Sequence, residues 1–224
     1  VAAERLLAHL TSDDPRIAQA AAILLEHLDN NVGRFIGLVS SMLARREAWL
    51  PVLPASVDDY GQAGEARLAL EAARAVIVQD HLAGSVEAFP PALLVEACAF
   101  AQGAAEVLRQ EGKESPILAC GPGVPGAEID DVPHWQGLAE FLLTGKGEPR
   151  KSFTVAVGVR AQDKKRPELA ALKVRIQSVA DEFARHEELF EPLHATRALP
   201  PREYQDAEWT VLKSLLLVLR LAAA

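Results

Sequence analysis

Aromatic residues are scarce in this chain, and their scarcity limits how its core is built. Only 5% of the 224 residues are aromatic, although half are hydrophobic. The core must therefore consist mainly of Ala, Leu and Val side chains, and Ala and Leu are strong helix formers. The composition predicts a mainly α fold, which we expect to be a single helical domain over 1–224.

Cysteines and long apolar runs are also few. Cys98 and Cys120 are the two cysteines, and without a CxxC pair or a nearby histidine cluster they give a zinc site little support. We expect two buried free thiols, with a disulfide as the alternative. The longest apolar candidate, 215–224, is interrupted by Arg220 and is shorter than the roughly 20 residues that span a bilayer. The sequence therefore predicts a cytoplasmic protein with no membrane partner.

The motifs of catalysis and nucleotide binding are missing as well. The glycine-rich stretch 121–126 and the sequence around Lys146 both lack the Gly-Lys-Ser/Thr ending of a phosphate-binding loop. No two histidines have the HxxxH or HxH spacing of a metal or hydrolase site, and neighbouring acidic residues on a helix point in different directions. We predict no catalytic residue, no metal site and no cofactor site. The histidines are His9, His27, His81, His134, His186 and His194.

Apolar residues that recur at three- and four-residue spacing indicate several amphipathic helices. The strongest pattern covers 31–50, and prolines follow it at 51 and 54. One stretch differs: Phe153, Val155, Val157 and Val159 alternate with the period of a strand. That pattern allows a small β-hairpin near 145–159. Helices are predicted over 16–28, 31–50, 68–82, 93–108, 135–143, 167–185 and 204–224.

Charge is distributed unevenly along the chain. The net charge is −8, which argues against a general attraction to nucleic acid. Residues 144–175, however, contain nine basic and three acidic side chains, a local charge of +6. A basic segment of this kind suits contact with a phosphate backbone, independent of base sequence. The alternative is a solvated loop.

Several stretches resemble UvrD/RecB-like superfamily 1 DNA helicases, most closely AddA-like or exonuclease V beta-subunit-like chains. The most specific stretch is LLEHLDNNVGR at 24–34, followed by MLARREAWL at 42–50. Further stretches follow in the same order: WQGLA, FLLT and GEPRK within 135–151, LHA and RALPP within 193–201, and YQDAEW at 204–209. Residues 55–125 contain no stretch that we match.

The resemblance implies the helical insertion called subdomain 1B, which lies between the Walker A and Walker B parts of the first RecA-like domain. Both Walker motifs are missing from this sequence, so we expect a fragment of a longer chain. The parent is implied to be an ATP-dependent helicase or helicase-nuclease that acts in double-strand break repair and recombination. ATP and Mg²⁺ are expected in that parent chain and not in this fragment.

Family 1B subdomains contact DNA, either as a single strand or as the duplex ahead of the fork. The GEPRK match makes Arg150 and Lys151 the first candidates for DNA contact. Charge adds Lys146, Lys164, Lys165 and Arg166. The implied partners are DNA, the remaining helicase domains and a second helicase-nuclease subunit.

Two other functions remain open from the sequence. A helical protein-interaction module could dock on a partner subunit through a face such as that of 31–50. A stand-alone helical enzyme is the third hypothesis, and it has the least support because no convergent acid/base, metal or nucleophile set is visible.

Overall fold

The structure is a computed structural model that describes residues 15–49, 64–160 and 167–223. Helices account for most of these residues, as the composition predicts. Leu6, Leu7 and Leu10 also predict a short helical segment at the start of the sequence, and it lies outside the described residues. The α-helices are α1 Pro15–His27, α2 Val32–Leu43, α3 Arg46–Trp49, α4 Glu65–Ala88, α5 Pro91–Gln110, α6 Val132–Leu142, α7 Pro167–Phe183, α8 Phe190–Ala195 and α9 Asp206–Ala223.

Short 3-10 helices connect several of the α-helices. They cover Pro116–Ala119, Ile129–Asp131, Val155–Val157, Glu187–Leu189 and Thr196–Ala198. The chain divides into two compact units, one of Val1–Ala73 with Glu203–Ala224 and one of Arg74–Arg202. The boundary falls inside α4. Whether 1–224 behaves as a single domain stays a prediction.

The first unit has a small core in which α9 packs against α1 and α2. Among the residues of this unit that the structure describes, Trp209 is the largest fully buried side chain. The guanidinium of Arg67 lies 5.8 Å from the Trp209 ring centre and forms ion pairs with Glu71 at 3.0 Å and Asp206 at 3.2 Å. This arginine therefore joins the start of α4 to the start of α9 within the unit.

The predicted helix over 31–50 begins as expected but ends early. The Asn31 side chain accepts a hydrogen bond of 3.0 Å from the Arg34 N–H, which satisfies one of the free donors at the start of α2. Asp29 and Asn30 before it adopt left-handed backbone conformations, with φ of 55° and 56°, which Asp and Asn tolerate better than most residues. The helix stops at Leu43, and a turn at 44–45 separates it from α3.

The second unit has the larger core, and α5 runs through it. Four alanines on α5 are buried and allow α6, α7 and the 3-10 helix Pro116–Ala119 to pack against it: Ala97, Ala101, Ala104 and Ala105. Several of the aromatic residues pack together here: Phe89 lies 5.8 Å from Trp135 and 6.1 Å from Phe183 between ring centres. The scarce aromatics thus fill the centre of this unit.

The hairpin near 145–159 is wrong. No strand occurs over 145–159; one antiparallel bridge joins Leu143 to Pro149, and Val155–Val157 is a 3-10 helix. The Thr154 hydroxyl accepts from the Ala156 N–H at 3.3 Å and starts that turn. Gly158 ends it in the left-handed conformation, with φ of 77°. The alternating apolar residues therefore pack through a compact turn instead of an extended strand.

Among the described helices, α5 is long and apolar enough to cross a membrane by length and composition alone. Leu93, Leu94 and Leu108 on this helix are buried in the core of the second unit. The expectation of no membrane partner stays a prediction.

Candidate nucleic-acid interface

The predicted contacts Lys146, Arg150 and Lys151 lie on a tight turn after α6. The Thr144 N–H donates to the Glu148 carbonyl at 2.7 Å, and the Arg150 N–H donates to the Leu142 carbonyl at 2.8 Å. Gly147 has φ of 80°, and a Cβ there would lie 3.0 Å from the His194 ring. Two backbone hydrogen bonds and a close-packed glycine thus fix the shape of this turn.

Arg150 is engaged by an acidic side chain of the protein itself. Its guanidinium donates to the Glu140 carboxylate at 2.8 Å and to the Glu140 carbonyl at 3.1 Å. The other carboxylate oxygen of Glu140 pairs with Arg197 at 3.0 Å. A phosphate at Arg150 would compete with Glu140, so direct contact of Arg150 with DNA stays a prediction.

Arg197 closes the end of α6. Its guanidinium donates to the carbonyls of Thr144 at 2.8 Å, Ala139 at 3.0 Å and Leu143 at 3.1 Å. These carbonyls belong to the last turn of α6 and the residues after it, where a helix leaves acceptors without partners. Arg197 therefore fixes the end of α6 and the start of the basic turn.

Lys146 and Lys151 are exposed and form no ion pair with a residue in the described ranges. Both ammonium groups are therefore free to meet an anion from solvent. Lys164, Lys165 and Arg166 lie outside the described residues.

A groove of about 500 Å³ lies elsewhere in the second unit, between α5 and α7. Its apolar part includes Phe100, Val107 and Leu172, and Gly158 and Val159 also line it. Two basic residues from the +6 segment, Arg160 and Arg175, are on its walls. The structure thus brings together two cations that lie fifteen positions apart in the sequence.

Neither of these two arginines is neutralised by a carboxylate among the described residues. Arg160 donates to the neutral Gln110 amide oxygen at 2.6 Å. The guanidinium of Arg175 lies 5.3 Å from the Phe100 ring centre. Both side chains are exposed. In contrast, carboxylates pair with Arg67, Arg150, Arg185, Arg197 and Arg202.

Arg160 and Arg175 belong to the basic segment of the sequence but are not among the contacts predicted from it. The charge signal was present, because both residues fall within 144–175. What the sequence does not show is that α5 and α7 pack against each other, which sets the two arginines around one groove. Nothing places Lys146 and Lys151 at that groove.

The cysteines are buried and free, as predicted. Burial raises the pKa of the Cys98 thiol to about 12. Burial and the neighbouring Cys98 raise the pKa of Cys120 to about 12 as well. Thiols with such values carry almost no thiolate at neutral pH and are poor nucleophiles.

Burial also lowers the pKa of His134, and the charge of Asp131 opposes that shift. Within the described ranges, no three His, Cys, Asp or Glu side chains are grouped so that they could hold a metal ion. The strongest candidate for function is therefore the set of exposed cations.

No protein-family model, curated protein or solved structure matches this chain significantly. The resemblance to superfamily 1 helicases consequently depends on the residues quoted for it above. The mainly helical fold agrees with that resemblance but does not identify the family.

Proposed function

We propose that this chain is a DNA-contacting accessory subdomain of an ATP-dependent DNA helicase or helicase-nuclease of double-strand break repair and recombination. Its own contribution is to hold the phosphate backbone. ATP and Mg²⁺ would be bound by RecA-like domains of the parent chain.

One observation carries this proposal. Of the six basic residues of 144–175 that the structure describes, four are exposed: Lys146, Lys151, Arg160 and Arg175. None of the four is paired with a carboxylate of the described chain. The acidic remainder of the protein thus leaves these charges available to an external polyanion.

The mechanism is electrostatic. Each cation that approaches a phosphate releases counterions that had condensed on the DNA, and this release drives binding at low salt. Such contacts fix the position of a backbone and carry no base-sequence information. Arg150 and Arg197 act as positioning residues here, because together they hold the turn on which Lys146 and Lys151 lie.

The proposal is tested by the binding of a fluorescently labelled forked duplex to the Lys146→Ala/Lys151→Ala variant, measured by anisotropy at low salt. We expect affinity to fall on the order of tenfold, since each lost phosphate contact contributes about 1 kcal/mol or less at an exposed site. The loss should be equal for forks of different sequence.

The matched control is Lys113→Ala/Arg185→Ala, which removes the same number of positive charges. In that case each charge is already paired, Lys113 with Glu111 at 2.8 Å and Arg185 with Glu182. We expect the control to bind nearly as well as the unaltered chain. An equal loss in both variants would show that only net charge matters and would contradict a contact at the turn.

A second function has one observation in its favour. Val76 and Ile77 on α4 are 56% and 69% exposed, which is typical of a helix face that packs against another protein. A helical module that docks a partner subunit would use such a face. Docking of this kind changes little with salt, whereas phosphate contact weakens steeply.

A further inference from the structure

We infer that the groove between α5 and α7 holds one unpaired nucleotide of single-stranded DNA between Arg160 and Arg175. This inference rests on the proposed function and specifies which form of DNA the protein prefers. Three features of the groove support it: its positive charge, the restrained arginine side chains and its apolar surface.

Charge is the first argument. Arg160 and Arg175 face the same groove and are held by an amide and an aromatic ring, so both positive charges remain for a ligand. A single phosphate-containing strand supplies the complementary negative charge. Glu106 is the one acidic residue among the described groove-lining residues, and it leaves the lining with a net positive charge.

Arg160 and Arg175 are also held in place before any ligand binds. The hydrogen bond to Gln110 restricts Arg160, and the contact with Phe100 restricts Arg175. Ordering a free arginine on binding costs about 0.5–1.5 kcal/mol for each side chain. Two arginines that are restrained beforehand lose less conformational entropy on binding. The groove therefore binds an anion more favourably than two free surface arginines would.

The groove also has an apolar surface beside the two arginines. Phe100, Val107 and Leu172 line the groove beside the arginines, and Leu172 is 40% exposed. Bases stack on aromatic rings and on guanidinium planes, as in single-strand-binding proteins. The bases of a duplex are stacked inside it, so only an unpaired base can reach this surface. A volume of about 500 Å³ falls in the range of small-ligand pockets.

Gly103 offers a direct test because its position lines the groove. A Cβ built there meets nothing within 4 Å, so Gly103→Leu adds an apolar side chain to the groove from a position with open space beside the backbone. Gly84 on α4 is also a helical glycine with open space around it, and Gly84→Leu is the matched control. The probes are labelled oligothymidylate and a blunt duplex of equal length.

We expect Gly103→Leu to weaken oligothymidylate binding about tenfold, the loss of roughly one stacked base. Duplex binding should be unchanged, and Gly84→Leu should bind both probes normally. Urea unfolding of each variant confirms that it is folded.

Glu106→Gln supplies a variant that acts in the opposite direction. It removes the negative charge from the groove, and we expect oligothymidylate affinity to rise about two- to fivefold, the effect of a single exposed charge. Arg160→Ala/Arg175→Ala should make the slope of log affinity against log salt concentration shallower by about 1.4 for single-stranded DNA. Each phosphate contact on a single strand contributes about 0.7 to that slope.

The possible failures are distinguishable. If the unaltered chain binds neither probe at low salt, the proposed function and this inference both fail. If it binds DNA but Gly103→Leu and Glu106→Gln change nothing, the inference alone is overturned and DNA contact stands. Competition by poly-glutamate as strong as that by oligothymidylate of equal charge would also overturn it, because the groove would then recognise an acidic polypeptide.

Discussion

At the scale of single residues, one carboxylate between two arginines stabilises the end of α6. Glu140 pairs with both Arg150 and Arg197, and the three side chains are only 21–31% exposed. Ion pairs with restricted access to solvent are screened less than surface pairs. Removing one partner takes a charge-assisted hydrogen bond from a half-buried side chain, and such a loss costs more than the loss of a surface pair.

Arg197→Ala should therefore lower the free energy of unfolding by about 2–3 kcal/mol, because three carbonyls and Glu140 lose a charged donor. Urea denaturation followed by circular dichroism measures it. Arg185→Ala is the control: its side chain is 68% exposed, so we expect a change below about 0.5 kcal/mol. If the two variants lose equal stability, Arg197 does not hold the end of α6.

At the scale of elements, the turn at 155–158 packs closely against α5 beside the groove, whose lining includes Gly158 and Ala104. Gly158 has a left-handed backbone, and a Cβ there would lie 2.3 Å from the Ala104 carbonyl oxygen. No side chain fits this approach without moving backbone. The turn and α5 therefore pack closely only because residue 158 is glycine.

Gly158→Ala should destabilise the protein by about 2 kcal/mol or more, from backbone strain and the clash with α5. Gly103→Ala on the same helix is the comparison. Its Cβ meets nothing, so the better helix propensity of Ala should stabilise the protein by about 0.5–1 kcal/mol. Thermal unfolding of both variants shows whether the signs are opposite; a neutral Gly158→Ala would contradict the close contact.

Part of the fold and of the candidate site could be predicted from the sequence. The helix periods of α1, α5 and α6 were recognisable because their apolar spacing is local. The apolar alternation at 153–159 wrongly predicted a strand. The contact of Gly158 with Ala104 joins residues that are distant in sequence, so a local pattern cannot reveal it. Likewise, charge indicated Lys146 and the GEPRK match indicated Arg150 and Lys151, while the ion pair of Arg150 with Glu140 depends on tertiary packing.

At the scale of the whole molecule, an acidic protein has a concentrated basic segment. The net charge of −8 includes +6 over 144–175, so the other residues carry −14. The acidic remainder repels DNA over a distance that salt shortens, while the exposed cations attract it. Binding therefore depends on where the positive charge lies. The attraction of DNA to the basic segment exceeds the repulsion by the net negative charge only at short range.

The most direct test is the slope of log affinity against log salt concentration for the unaltered chain and labelled oligothymidylate, measured by anisotropy from about 50 to 200 mM salt. Contact of Lys146, Lys151, Arg160 and Arg175 with phosphates predicts a linear fall with a slope of about −2.8, since each contact on a single strand contributes about 0.7. A slope near zero, or no binding at the lowest salt, would contradict the claim that these cations hold a DNA backbone.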